Sequence, residues 1–585
     1  MKKRIGVYIC HCGSNISGYL DIEKVTEFAG SLKSVVIARH YTFMCSDPGQ
    51  DMIKQDIKEL ELNGVLVCSC SPTLHLRTFR EACQDAGLNP HLCEMASIRE
   101  NCSWVHSHER QTATEKAMAL VAAGVRRVSH RIPLETKWAD VNPDTLVVGG
   151  GIAGIQAALE IAGTGHKVYL VEKESNIGGH MAQLGYTFPN LDSAVDILTS
   201  RMDLVMSNEY IELMTCSQVS EVSGYIGNFT AKIKTNKNEQ SAKEVIEVEV
   251  GNIIIATGYD TFDPTPIFQY GYKRFDNVIT SIEFERMLSA NGPTGGNIVL
   301  KDGSTPKSIA IIHCVGSRDE NYHQYCSRIC CTYSLKYAHL LREKLGAEVY
   351  QMYIDMRCFG KGQEEFYKRA LDAGVHFIRG KVAQVTDITL PDEEKGKLIV
   401  AAEDTLLGTM IRVPVDLVIL SVAMEPRSDT SEVARTFLLG RSADGFFLER
   451  HPKLDPVGTM LDGTYCVGCC QGPKDITDTV AQATGAAARV LALVSKGKVE
   501  IEAATALVDE VVCSGCGYCQ LVCPYSAIEI NARTKEARVN EAICKGCGAC
   551  SVNCPSKAIQ IKNFGTQQII DVIDSATKEY AGMAV

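Results

Sequence analysis

Short apolar runs, broken by polar and glycine-rich segments, set the rhythm of this 585-residue chain. Near the N-terminus the runs at Arg4 to Ile9, Ser34 to Ala38 and Gly64 to Val67 predict three β-strands, each followed by a cysteine-bearing loop. From Thr145 the segment TLVVGGGIAGIQAALEIAGTGHKVYLVEKE predicts a strand, a tight turn, an Ala-rich helix and a second strand ending at Glu172. Further on, NIIIATGYD (252–260) and SIAIIHC (308–314) predict buried strands, and a helix is expected to begin near Asp475. Strands alternating with helices predict an α/β chain with parallel sheets. No apolar stretch reaches the roughly 18 residues of a membrane helix. Met1 to Cys10 starts basic but has only a short apolar run before His11, which reads as a first strand and not as a signal peptide.

Composition narrows the class. The length implies about three to five domains, and 45% hydrophobic residues can fill proper cores. A net charge of −11 argues against nucleic acid as a partner. The 25 cysteines fall in metal-ligand spacings inside a large chain, which fits a reducing compartment better than disulfides do. The expectation is a soluble cytoplasmic protein without direct membrane insertion.

The strongest chemistry lies near the C-terminus. Cys513, Cys516, Cys519 and Cys523 with Pro524, then Cys544, Cys547, Cys550 and Cys554 with Pro555, repeat the spacing of bacterial two-cluster ferredoxins. In that pattern the fourth cysteine of each run ligates the other cluster. One [4Fe–4S] cluster would take Cys513, Cys516, Cys519 and Cys554, and the other Cys544, Cys547, Cys550 and Cys523. Zinc ribbons also use Cys-x-x-Cys pairs, but eight cysteines, both prolines and the fixed repeat favour single-electron transfer.

The Thr145 segment carries Gly149-x-Gly151-x-x-Gly154 between a strand and a helix, with Ile152 and Ala153 opening that helix. This is the dinucleotide fingerprint in its required setting. Its glycines permit the turn, the approach of a pyrophosphate and close helix–strand packing. Glu172, 23 residues after Gly149, stands where an acid accepts ribose hydroxyls, with Lys173 beside it. FAD is favoured over NAD. Gly178-Gly179-His180-Met181 resembles the second glycine turn of two-dinucleotide flavoproteins, Asn252 to Asp260 with Gly258 resembles their return strand, and YCVGCCQGPKDITDTV resembles their final flavin segment. Val219, Gly468, Lys474 and Asp475 complete the expected cofactor-binding set, with Lys474 as a candidate for tuning the flavin.

A second nucleotide fold should follow, and SIAIIHC supplies its strand. The glycine cradle is missing there. Cys314, Cys326, Cys330 and Cys331 stand in its place and read as ligands of a third [4Fe–4S] cluster where hydride would otherwise arrive. In the N-terminal region, cysteines at 10, 12, 45, 68, 70, 83, 93 and 102 follow or surround the strands, and spacing alone does not choose four ligands.

VYICHCGSNI, FMCSDPGQ, CSCSPTLH, IRENCSWVH, the fingerprint, CSRICC and CCQGPKDI together resemble the A-type subunits of heterodisulfide reductase, a family of iron–sulfur flavoproteins from anaerobic archaea and bacteria. The resemblance covers nearly the whole chain. It implies an N-terminal [4Fe–4S] domain (1–135) with Cys10, Cys12, Cys45 and Cys70 as ligands and Cys102 in reserve, while Cys68, Cys83 and Cys93 stay structural. It further implies a thioredoxin-reductase-like FAD domain (141–500) with the additional cluster, an α+β ferredoxin domain (504–563) and a tail (564–585). Four clusters and one FAD are expected. The implied activity is flavin-based electron bifurcation or confurcation between a two-electron donor, low-potential ferredoxin and a disulfide-reducing partner. Implied partners are the B- and C-type subunits of heterodisulfide reductase, a small Fe–S adaptor, a hydrogenase or formate dehydrogenase module, ferredoxin and a second copy of the chain. Longer members insert a second ferredoxin module after the segment matching Gly224 to Lys234, and carry Cys-x-x-Cys where this chain has Ser193-Ala194-Val195-Asp196. Here Thr235 to Glu244 is a short polar stretch without cysteine, which leaves open a simpler relay between a quinone-linked membrane module and a soluble reductase.

Overall fold

The computed structural model describes residues 3–235, 244–389, 394–501 and 503–577. The polar stretch after Thr235 lies largely outside them. The chain divides into two compact units: Met1–Ala139 with Glu500–Val585, and Asp140–Val499.

In the first unit, the N-terminal segment forms a four-stranded parallel sheet in the order Val35–Tyr41, Ile5–Cys10, Gly64–Ser69, Cys93–Ser97. Strands covered on both faces read as continuous apolar runs, and the strands at Ile5–Cys10 and Gly64–Ser69 are buried throughout. Alternation divides the first strand between two cores: Ile5, Val7 and Ile9 pack beneath the Arg110–Ser129 helix, while Tyr8 and Cys10 face Val65, Val67 and Phe79.

The ferredoxin segment repeats one plan twice. A cysteine loop leads into a short helix (Tyr518–Leu521, Ala549–Val552), and strands pair as Ala506–Val508 with Ile559–Ile561 and Ile528–Ile530 with Ala537–Val539. The chain then forms the Thr566–Ala576 helix, which packs on Arg110–Ser129, so much of the expected tail is structured. Asn563 fastens the two segments: its side chain accepts from the Ile132 N–H at 3.0 Å and donates to the Ile132 carbonyl at 3.1 Å. Glu541 adds ion pairs to Lys562 at 2.7 Å and to Lys137.

The second unit holds two parallel sheets of one design. The first runs Thr464–Cys466, Asn252–Ile255, Thr145–Val148, Val168–Val171, Ile211–Met214; the second runs Val278–Thr280, Leu417–Val422, Ser308–Val315, Glu348–Tyr353, His376–Arg379. Each is accompanied by a three-stranded antiparallel sheet, built from strands at Ser217–Tyr225, Asn228–Thr235 and Glu244–Val250, and at Val382–Thr386, Leu398–Asp404 and Thr409–Val415. This is the two-dinucleotide architecture expected of a thioredoxin-reductase-like flavoprotein. Ser193 caps the Ala194–Ser207 helix by accepting from the Asp196 N–H at 3.3 Å.

Candidate flavin and iron–sulfur sites

The fingerprint turn connects the Thr145–Val148 strand to the Ile152–Ala162 helix. Its glycines are sterically required: a Cβ on Gly154 would lie 1.9 Å from the Gly149 carbonyl oxygen, and one on Gly149 would lie 2.4 Å from that of Ala256. A Cβ on Gly151 would meet nothing, so the helix N-terminus stays open for a phosphate. Glu172 accepts from the Gly150 N–H at 2.6 Å through one oxygen and from the Glu174 N–H at 2.9 Å through the other. Lys173 pairs with Asp429 at 2.7 Å.

A cavity of about 560 Å³ opens from this turn, a size suited to a large cofactor. Gly149, Gly151, Ile152, Ala153, Glu172, Lys173, Gly179, His180, Met181, Val219, Gly258, Lys474 and Asp475 line it. Gly154, Gly178 and Gly468, also expected there, are not among the lining residues. Asp475 caps the Ile476–Lys496 helix, accepting from the Asp478 N–H at 2.7 Å. The His180 Nε2–H donates to the Tyr259 carbonyl at 2.8 Å, leaving Nδ1 as an acceptor, buried and without a protein partner. Burial holds this imidazole below its ordinary pKa, hence neutral. The steric cradle, the carboxylate and the unmatched acceptor fit a dinucleotide cofactor.

Lys474 is buried, and its ammonium donates to the Gly468 carbonyl, Gln471 Oε1 and the Gly472 carbonyl at 2.7–2.9 Å. Its donors are thus spent on its own loop. The cavity carries a second buried cation that the motifs do not reveal. Lys336 pairs with Glu285 and donates to the Tyr186 carbonyl at 2.8 Å; both charged residues line the cavity beside Tyr333 and Tyr337. These two residues come from different helices and share no spacing signature; the fold alone brings them together.

The same cavity reaches Ile329 and Tyr333, which flank Cys330 and Cys331 at the start of the Cys330–Leu345 helix. Cys314, Cys330 and Cys331 form one thiol cluster. Hydrogen bonding with Cys330 lowers the pKa values of Cys314 and Cys331 and raises that of Cys330 itself; His313 adds to the lowering at Cys331. Cys326 lies on the preceding loop, its sulfur accepting from the Arg328 N–H at 3.4 Å. Cys358, not singled out by spacing, comes within electrostatic reach of Cys331.

In the N-terminal sheet, Cys10 ends one strand and Cys70 follows another. Cys10 and Cys70 each feel both Cys12 and Cys45, so these four thiols share one neighbourhood. Arg99 donates to the Cys12 sulfur at 3.6 Å, and the Cys12 and Met44 N–H groups donate to Cys10 at 3.3 and 3.4 Å. Cys102 instead neighbours Cys68, and Cys83 neighbours Cys93, all four buried in the cores.

In the ferredoxin segment one small cavity is ringed by Cys513, Cys516, Cys519 and Cys554, and a second by Cys523, Cys544, Cys547 and Cys550. Each ring takes three thiols from one run and the last from the other. Backbone N–H groups of Ala506 and Ala527 donate to Cys544 and Cys523 at 3.4 and 3.3 Å, contacts of the kind that tune cluster potentials. Among the described residues, no three His, Cys, Asp or Glu side chains close on a single-ion site. None of the described helices is long and apolar enough to cross a membrane.

Residues 143–312 match the pyridine nucleotide-disulphide oxidoreductase family, and residues 512–558 the 4Fe-4S dicluster domain. A thioredoxin reductase structure from Lactococcus lactis superposes with a TM-score of 0.40 at 17% identity, covering 60% of this chain and 99% of that one. Among curated proteins, an A-type iron-sulfur subunit of CoB–CoM heterodisulfide reductase from Methanopyrus kandleri is 45% identical, over 90% of this chain and 91% of its own. That match spans 603 aligned residues against 585 in this chain, so the relative carries residues this chain lacks. The A-type subunit of the H(2):CoB-CoM heterodisulfide,ferredoxin reductase of Methanothermobacter marburgensis is likewise 45% identical over 90% and 91%. Its counterpart in the ferredoxin/F(420)H(2)-dependent CoB-CoM heterodisulfide reductase of Methanosarcina acetivorans is 39% identical over 98% of this chain and 81% of its own. FAD and iron–sulfur clusters are the cofactors of such an oxidoreductase, and the chain belongs to the family of A-type heterodisulfide reductase subunits.

Proposed function

We propose that this chain splits electron pairs, sending one electron to low-potential ferredoxin and the other toward a disulfide-reducing partner, or runs the reverse confurcation. The observation that carries this reading is the reach of the flavin cavity to Ile329 and Tyr333, the residues flanking Cys330 and Cys331. The closeness of Cys314, Cys330 and Cys331 supports a one-electron carrier at this position. FAD, when bound, exchanges electron pairs on one side and single electrons on the other. The protein supplies the surroundings. The Gly149–Gly154 turn and Glu172 would hold the dinucleotide, and Lys336 with Glu285 would place a buried charge pair in the same cavity, lined also by Tyr333 and Tyr337. Cys314, Cys326, Cys330 and Cys331 would hold one cluster, Cys10, Cys12, Cys45 and Cys70 a second, and the two ferredoxin rings a third and fourth.

The names of the relatives from Methanothermobacter marburgensis and Methanococcus maripaludis pair hydrogen, or hydrogen and formate, with heterodisulfide and ferredoxin. The same partner set is proposed here: B- and C-type subunits, an Fe–S adaptor, a hydrogenase or formate dehydrogenase module, and ferredoxin, with the chain as a homodimer in the cytoplasm. The test uses the native complex, purified without oxygen and given its two-electron donor. Ferredoxin should be reduced only while a disulfide acceptor turns over, in equal electron counts. Ferredoxin reduction that proceeds equally well without the disulfide would establish the relay instead.

A further inference from the structure

In the N-terminal segment, the Ser103 and Trp104 N–H groups donate five residues back, to the Ile98 and Arg99 carbonyls at 3.1 and 2.9 Å, which makes Arg99–Ser103 a π-helical turn. Such turns are rare and recur at functional sites. This one brings the Trp104 ring under the Arg99 guanidinium, whose carbon lies 4.6 Å from the ring centre. Held there, Arg99 donates to the Cys12 sulfur at 3.6 Å, while its buried Nε has no partner among the described residues. Cys12 is shaped to meet it: its φ of 49° lies in the left-handed region that few residues other than glycine occupy. Backbone strain on the thiol side and a π turn on the cation side converge on one contact.

A guanidinium is charged at any working pH, and this side chain is only 13% exposed. Its counter-ion Glu100 stands 3.7 Å away with 36% of its side chain exposed, so water screens much of that pairing. Burial, and then the Arg99 charge, hold the nearby His75 below its ordinary pKa, so that imidazole stays neutral. The same charge reaches Cys70, which also feels Cys12 and Cys45. Backbone N–H groups aim at Cys10 as others aim at Cys523 and Cys544 in the ferredoxin rings, so the donor set fits a cluster. We propose that Arg99 sets the reduction potential of the [4Fe–4S] centre held by Cys10, Cys12, Cys45 and Cys70, raising it by favouring the form with one more electron. This rests on the four-thiol assignment made above. One electron is added to the centre, the guanidinium keeps its proton, and no iron–sulfur bond forms or breaks.

The test titrates the full-length holoprotein with dithionite through redox mediators, without oxygen, and follows it by electron paramagnetic resonance. The signal absent from Cys10→Ser, Cys12→Ser protein identifies the centre. Arg99→Gln can still donate to the sulfur but carries no charge. It should lower this midpoint by about 59 mV or more, a tenfold change in a one-electron equilibrium, with the other midpoints and the iron and FAD contents unchanged. Arg99→Lys keeps the charge and should recover about half of the shift or more. The proposal is overturned if Arg99→Gln keeps its iron and its midpoint, or if Arg99→Lys falls as far as Arg99→Gln, which would make the effect one of shape. If Arg99→Gln arrives about four irons short, Trp104→Leu, at a half-exposed position, decides instead. Freeing the guanidinium should then change the same equilibrium about twofold or more toward the oxidised form, and an unmoved midpoint overturns the proposal. Full iron in the Cys10→Ser, Cys12→Ser protein would sink the four-thiol assignment itself, a result distinct from all of these.

Discussion

Lys336, 2% exposed, has Glu285 as its buried counter-ion, and removing either charge alone strands the other away from water. Breaking a buried pair from one side costs about 3–5 kcal/mol, whereas replacing both partners is often nearly neutral. Lys336→Met should therefore lower the thermal unfolding midpoint sharply, and Lys336→Met with Glu285→Gln should recover most of the loss. Flavin midpoint potentials measured on the stable double variant should differ from the parent if the pair faces the cofactor. Residues such as Gly154 and Glu172 are legible in the sequence because steric and hydrogen-bonding needs impose a fixed spacing on them. Lys336 is not, because two helices far apart in the chain supply the pair and neither half has a pattern of its own. Lys474 stands out by its place in a flavin-like segment, yet its ammonium already serves three acceptors in its own loop.

The element that ties ferredoxin to the N-terminal sheet is the turn at Asn563, which stands in for a missing stretch of backbone pairing at Ile132. Asn563→Ala removes both hydrogen bonds to the Ile132 backbone, each contributing about 0.5–1.5 kcal/mol. Hydrogen exchange at the Ile132 amide should then accelerate, while exchange within the two parallel sheets of the flavin unit stays unchanged. Apolar runs mark the N-terminal strands to within a few residues, since doubly covered strands are nearly all apolar. The Thr566–Ala576 helix is harder to read. Its sequence resembles a tail because Ile569, Ile570 and Ile573 remain largely exposed and its partner helix lies more than four hundred residues earlier in the chain.

At the scale of the molecule, the proposed circuit fixes a stoichiometry. Four cubanes on one flavin give about sixteen irons per FAD, against about eight if only the ferredoxin rings are filled. Iron and flavin analysis of protein reconstituted without oxygen reads this directly, and a Cys10→Ser, Cys12→Ser variant should lose about four irons while keeping its FAD. The ferredoxin rings can be grouped from sequence because a local repeat carries nearly all of each ligand set. Eight N-terminal cysteines cannot be sorted that way; strand ends from three places in the chain have to meet before Cys10, Cys12, Cys45 and Cys70 separate from the Cys68–Cys102 and Cys83–Cys93 pairs.

Ser193 has a further meaning for how the protein endures air. Its hydroxyl starts the Ala194–Ser207 helix, where the resemblance to longer family members implies a Cys-x-x-Cys, and a serine cap contributes about 1 kcal/mol. Oxygen cannot strip a hydroxyl cap as it strips a cluster. The N-terminus of this helix should therefore keep its shape when the iron is lost.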